Sequence, residues 1–381
     1  MGCQPSISIL VRRQYFKYSE SIQCLLKYSH DRANLQKRMK IEKFNKSASR
    51  SKLNREQRDL LSQRICDLAL KIPGSRLEKL ILELYQELAK AEIVFKPKTY
   101  LSDEWGCPQG IPVIGIPFYL ADPRLCKLEE ELTGIEAETD EEILTYLRHE
   151  AGHAFNYAYR LYRKTEWRRL FGQFSQPYKE EYKPIPFSSR FVHHIPGWYG
   201  QKHPDDDFAE TFAVWLTPGS EWRKKYADTH ALTKLLFIDR IILRYGRTEP
   251  AIADEKLDKP VQELKVTLDK WYETNTHFSS NIVKLHHMID EDLQRLFPET
   301  EGQLAAEVLQ DNSRRLIRDV NHWTGMDRRA LGSLFLELKE RVSSLGLKIG
   351  QGQATTRMVS MAIFLTTLVM TYQFTGQFIE E

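Results

Sequence analysis

From Leu53 onward, apolar and polar positions alternate mostly with the period of a helix. Leu53 to Leu70 and Arg76 to Ala91 both carry apolar residues at helical spacing, and Pro73-Gly74 separates them, so residues 53 to 92 read as a helical pair. The pattern then changes. IVFKPKTYL and IPVIGIPFYLAD, between residues 93 and 122, mix β-branched and aromatic residues with Pro and Gly, which predicts short strands at a sheet edge. Glu141 to Tyr162 returns to helix: Thr139 and Glu142 have capping-box spacing, and Ile143, Leu147, Ala151, Ala154 and Ala158 make an apolar stripe. Residues 203 to 219, HPDDDFAETFAVWLTPG, predict a second helix, started by Pro204 and three aspartates and stopped by Pro218-Gly219, with Phe208, Phe212, Trp215 and Leu216 as its buried stripe. Leu232 to Tyr245 is apolar enough to be buried on most sides, RTEPAIADEKLDKP follows as a connector, and several helical segments fill the chain from Val261. The last apolar run, Met358 to Tyr372, is about 15 residues against the roughly 20 that a membrane span needs, so it reads as a buried C-terminal helix.

The first of the two helices carries His149, Glu150 and His153 as H-E-x-x-H. At about 100° per residue, positions four apart lie within roughly 40° of each other and about 6 Å apart along the axis, so both imidazoles can meet one ion. Glu150, directly after the first histidine, can reach a water on that ion as general base without ligating it. A third ligand is required, and Glu210 is the best placed, because it falls off the apolar stripe of its helix beside Asp206, Asp207 and Ala213; a solvated helix-face glutamate is the alternative. The connection between the two helices, Arg163 to Lys202, is long enough to be functional and should wall the cleft. Tyr199 is the first choice for an oxyanion donor, ahead of His193, His194 and His203. His203 could instead cap the second helix, and Asp207 could orient a ligand histidine or simply place charge at the helix start.

On these two blocks, RHEAGHAFNYAY and DDFAETFAVWL, the sequence resembles gluzincin-type metallopeptidases, and more narrowly a bacterial family of zinc-binding metallopeptidases, over roughly residues 95 to 245. The resemblance implies zinc on His149, His153 and Glu210, with Glu150 as base, and an α+β fold: a zincin-like catalytic domain of a small sheet plus the active-site helix, followed by a mostly helical C-terminal region. It also implies that Val113 to Tyr119 is an edge strand that pairs with an extended substrate, an ordinary core strand being the alternative. The metzincin pattern fails, because Asn156 and Tyr159 stand where its glycine and third histidine belong. The expected function is hydrolysis of peptide bonds in a peptide or protein substrate. The competing readings are a non-catalytic zinc-binding adaptor and a nucleic-acid-associated protease directed by a basic arm.

That arm comes from the charge distribution. The 381 residues carry a net charge of +3, yet residues 1 to 58 hold fourteen Lys and Arg against four Asp and Glu, so the first segment is +10 and the remainder −7. Residues 32 to 52 could touch nucleic acid, or be a solvated, poorly ordered tail. The division expected is 1–52 as the arm, 53–247 as the metallopeptidase domain and 261–381 as a helical domain. Five cysteines without a C-x-x-C pair argue against a disulfide framework and fit a reducing cytoplasm. No signal peptide, internal repeat or zinc ribbon is evident, and MGCQPS matches the myristoylation pattern only as a short motif. His286 and His287, adjacent on a helix, point about 100° apart and read as surface. Oligomeric state is open at this level.

Overall fold

A computed structural model describes residues 53–133, 137–178, 182–253, 256–275, 289–376 and 378. The basic segment on which a nucleic-acid contact is expected, the acylation motif and His286-His287 lie outside the described residues. The fold is mostly helical with a small two-stranded parallel sheet, an α+β arrangement. The described chain from Arg55 onward clusters as one compact unit.

The first helix, α1 (Arg55–Ser62), is shorter than its apolar spacing predicts. Beyond it the backbone turns to pair with a segment two hundred residues later: Ile65 N donates to Val266 O at 3.1 Å, Cys66 N to Leu264 O at 3.0 Å, and Leu268 N to Gln63 O at 2.9 Å. Helix α2 (Arg76–Lys90) follows, capped by Ser75, whose hydroxyl accepts from Leu77 N. Strands β1 (Lys98–Ser102) and β2 (Val113–Pro117) then pair in parallel, with Tyr100 opposite Gly115. All five residues of β2 are buried, and its outer edge is taken by its own loop, since Gly115 N donates to Gly106 O at 2.8 Å and Gly106 N to Gly115 O at 3.3 Å. Strand addition at Gly115 is therefore blocked, and Phe118–Ala121 is a 3-10 turn rather than strand, which corrects the substrate-pairing role expected of Val113 to Tyr119.

Helix α3 (Pro123–Thr133) leads to the motif helix, α4 (Asp140–Ala158). Its capping box forms as the spacing predicts: Glu142 N donates to Thr139 Oγ1 at 3.2 Å, and Thr139 N to Glu142 Oε2 at 2.8 Å. A short helix, α5 (Thr165–Phe171), opens the long connection. Helix α6 (Pro204–Leu216) has Pro in its first turn and His203 as its cap, the imidazole Nδ1 accepting from Asp205 N at 3.1 Å. Among the described residues, helices α4 and α6 make the most intimate pair. Gly152 faces Ala209 so closely that a Cβ on it would lie 2.8 Å from Ala209 Cα, and Phe155 stacks on Phe212 at 5.4 Å. Both phenylalanines are fully buried, each contributing about 1.5–3 kcal/mol of transfer free energy. Buried Arg148 is held by Glu87 of α2 through two hydrogen bonds, of 2.6 and 2.8 Å, which fixes the rotation of α4. Helix α7 (Ala231–Tyr245) covers α6 from the other side.

After the connector, α8 (Leu268–Asn275) returns to the first half: it packs against α1, and its Trp271 meets Phe118 edge-on at 5.0 Å. The sequence placed this segment in the C-terminal domain. Beyond residue 288, α9 (Asp290–Leu296), α10 (Ala305–Asp311), α11 (Ser313–Thr324), α12 (Arg328–Ser344) and α13 (Ala354–Thr375) enclose a hydrophobic core of their own. Helix α13 is 22 residues, longer than the apolar run suggested, and by length and composition is enough to cross a membrane. Only one face of it is buried, through Met361, Leu365, Leu368 and Val369, while Val359, Ile363 and Phe374 are exposed. The two halves meet where Gly197 crosses Gly325. Both have positive φ, +84° and +67°, and a Cβ on either would lie 2.2 Å from the other's Cα, so only glycine fits at this crossing.

Candidate metal centre

Helices α4 and α6 bring together His149, Glu150 and His153 from one side and Asp205, Asp206 and Glu210 from the other. His149 Nε2 and His153 Nε2 are 3.0 Å apart, and Asp206 Oδ1 lies 3.7 Å from the first and 3.5 Å from the second. Donor atoms bound tetrahedrally to a metal at about 2.0–2.2 Å sit roughly 3.3–3.6 Å from one another, and the three separations here, 3.0, 3.5 and 3.7 Å, bracket that range, so the group could hold a metal ion.

Of the atoms that point away from the triangle, those of His149 and Asp206 are held by hydrogen bonds, and His153 Nδ1 makes an ion-pair contact. His149 Nδ1 donates to Glu210 Oε1 at 3.0 Å. His153 Nδ1 lies 3.0 Å from Asp205 Oδ2, and that carboxylate also accepts from Asn156 Nδ2 at 2.7 Å and from the Tyr157 hydroxyl. Asp206 Oδ2 accepts from the Tyr178 hydroxyl at 2.7 Å. With protons on both Nδ1 atoms, each Nε2 presents a lone pair, and a carboxylate oxygen faces the pair. In that protonation state three acceptors converge, an arrangement that suits a cation.

Glu210, expected as the third ligand, is placed one layer back. It is wholly buried; besides His149 Nδ1 it accepts from His194 N at 3.1 Å and from Ile195 N at 3.0 Å, so its oxygens are committed to orienting an imidazole and closing the loop. Asp206, one turn earlier on the same helix face, stands in the position assigned to it. Asp207 does not orient a histidine: its Oδ2 accepts from buried Lys234 Nζ at 2.6 Å, and Lys234 also donates to Arg190 O at 2.8 Å. Sequence reading missed Asp205 and Asp206 as site residues, and Tyr178 altogether. The signal for Asp206 was its i−4 relation to Glu210; Tyr178, in an irregular loop, carried none.

Electrostatics follow from this packing. Burial disfavours charge on His149, but hydrogen bonds to Asp206 and Glu210 outweigh it and raise its pKa to about 9. His153 is raised in the same way, burial being overcome chiefly by Asp205. Burial would raise Asp206, yet His149 and His153 hold it below the carboxylate range. In the absence of a metal, protons on the imidazoles do the neutralising that a divalent cation would do. Glu150 is 7% exposed, its pKa is raised by burial, and its Oε2 has no hydrogen-bond partner. Five buried carboxylates here, Glu150, Asp205, Asp206, Asp207 and Glu210, face one buried lysine, an excess of negative charge that suits a divalent ion.

His149 and Glu150 line a cavity of about 410 Å³, with Ile195, Pro196 and Tyr199 on one wall, Trp105, Tyr119 and Tyr146 on another, and Asn321 to Arg329 of the C-terminal half closing the third. Tyr199 meets His149 edge-on at 5.5 Å, and Lys202 Nζ donates to its hydroxyl at 3.4 Å. Burial, then Asp206, keeps that hydroxyl protonated by raising its pKa. His193, His194 and His203 are placed elsewhere: His193 stacks on Trp198, His194 Nε2 donates to Thr145 O at 3.0 Å, and His203 caps α6. Compared with family models, curated proteins and solved structures, the chain matches none.

Proposed function

We propose that this chain is a zinc-dependent metallohydrolase of zincin type, acting on peptide bonds. The observation that carries the reading is the convergence of two imidazole nitrogens and the Asp206 carboxylate on one point beside an unpartnered Glu150 oxygen. Zinc held by His149, His153 and Asp206 would supply Lewis acidity and would lower the pKa of a water to about 7. The Glu150 carboxylate takes the proton of the attacking water and delivers it to the leaving amine, and its burial beside two imidazoles suits it to both steps. Tyr199 donates its hydroxyl hydrogen to the oxygen of the attacked carbonyl. Asp205, Glu210 and Tyr178 hold the three ligands in place. The free thiols of Cys66, Cys107 and Cys126 accord with a reducing, cytoplasmic setting.

The test compares wild type with Glu150→Gln by elemental analysis and by mass spectrometry of a digested peptide library. The expected result is one zinc in both proteins and cleavage by wild type alone. Cleavage that survives in the variant would remove Glu150 as base, and wild type without zinc would remove the reading.

A further inference from the structure

Beyond the metal centre, the same cavity runs one helical turn back along α4, from Glu150 to Tyr146, about 6 Å. Trp105 stacks on Tyr146 at 5.4 Å, and Tyr119 forms the adjoining wall. The Glu138 carboxylate lies at this end, accepting from the Tyr119 hydroxyl at 3.2 and 3.3 Å. No lysine or arginine pairs with it among the described residues. The two arginines on the rim are engaged elsewhere, Arg328 with Glu142 and Arg329 with Glu129, each at 3.2 Å. The segment bearing Glu138 is fixed from outside: Arg76 donates to its backbone carbonyl at 2.8 Å and pairs with Asp140. Around the mouth Asp327 adds negative charge, while Asp103 and Glu104 are paired with Lys259 at 3.0 and 3.9 Å.

A carboxylate without a cation, walled by three aromatic rings, has the chemistry of a receptor for a long basic side chain: the rings take the methylene stem and the face of the charge, and the carboxylate takes its hydrogen bonds. We propose that Glu138, with Trp105, Tyr119 and Tyr146, receives a lysine or arginine side chain of the substrate residue adjoining the scissile bond. This assignment rests on the peptidase reading and names the substrate class of that site.

The experiment uses the full-length, zinc-loaded protein. A peptide library is digested by wild type and by Glu138→Gln, and rates are compared on one basic peptide and its norleucine counterpart. The expected result is enrichment of Lys or Arg at one position next to the cut, with kcat/KM on the basic peptide lowered about tenfold in Glu138→Gln and the norleucine peptide changed by less than about twofold. In a second measurement, the uncleaved basic peptide binds Glu150→Gln and binds the Glu138→Gln, Glu150→Gln double variant about tenfold more weakly. Cleavage with no basic preference, or a preference for acidic residues that rim arginines would impose, overturns the pocket and leaves the hydrolase reading standing. Wild type that cleaves no peptide overturns the reading and the pocket together.

Discussion

His149 Nε2 and His153 Nε2 face each other at 3.0 Å, while Glu210 and Asp205 engage the opposite nitrogens of the two rings. When both nitrogens are deprotonated their lone pairs repel at that distance, and a cation between them offsets the repulsion. Zinc affinity should therefore depend most on the three atoms of the triangle. Asp206→Ala is expected to abolish stoichiometric binding in competition with a chelator, and Glu210→Ala to weaken it by about 10–100-fold without abolishing it. The reverse ranking would restore Glu210 to the ligand set.

The crossing of α4 and α6 sets that triangle. Adding a methyl group in Gly152→Ala forces it against Ala209 Cα at 2.8 Å, Ala209 O at 3.0 Å and Phe212 Cβ at 3.1 Å, none of which is a flexible side-chain end. The expected loss is about 1–3 kcal/mol in denaturant unfolding, accompanied by weaker zinc binding because the two helices must separate. Unchanged stability with unchanged zinc affinity would show that the contact yields.

Arg148 and Glu87 form a buried ion pair, with side chains 11% and 5% exposed. Arg148→Met leaves the Glu87 carboxylate uncompensated and should cost about 3–5 kcal/mol, whereas Arg148→Met with Glu87→Leu should recover most of that loss. A double-mutant cycle by urea unfolding measures the difference. Equal destabilisation in single and double variants would place the cost in packing instead of charge.

His193 and His194 carry depressed pKa values, in both cases through burial first, with His322 adding to the effect at His193 and Glu210 opposing it at both. A base depressed in the folded state binds a proton more readily when unfolded, so its contribution is full above the unfolded value of about 6.5 and is lost as pH falls through the folded one. In the chelator-treated protein His194→Gln should gain stability relative to wild type as pH falls from about 7 to 5, while the raised groups Asp207, Glu150 and His149 titrate the opposite way in both proteins. The check is a series of urea midpoints across this range; a variant with the wild-type slope would exclude His194.

Much of this site is legible in the sequence, and the part that is not has a common cause. The capping box at Thr139, the proline start at Pro204 and the placement of His149 and His153 on one face are consequences of neighbours within one or two turns. Which carboxylate of α6 reaches the imidazoles is not local. Asp206 and Glu210 share a face, and the choice between them is made by how Gly152 seats on Ala209, a contact between residues 57 positions apart. The early end of α1 has the same origin, because Ile65 and Cys66 exchange helical hydrogen bonds for pairing with Val266 and Leu264. The edge of β2 escaped for another reason: Gly106 folds back on Gly115 through a turn whose course no periodicity encodes.

The close passage of Gly197 beneath Gly325 also orders events in time. Every residue of the metal triangle is synthesised by Glu210, yet Asn321 to Arg329, which complete the enclosure around Glu150, emerge more than a hundred residues later. A nascent chain thus holds the triangle while the cavity beside Glu150 is still open, and that enclosure closes only after Arg329 has been made.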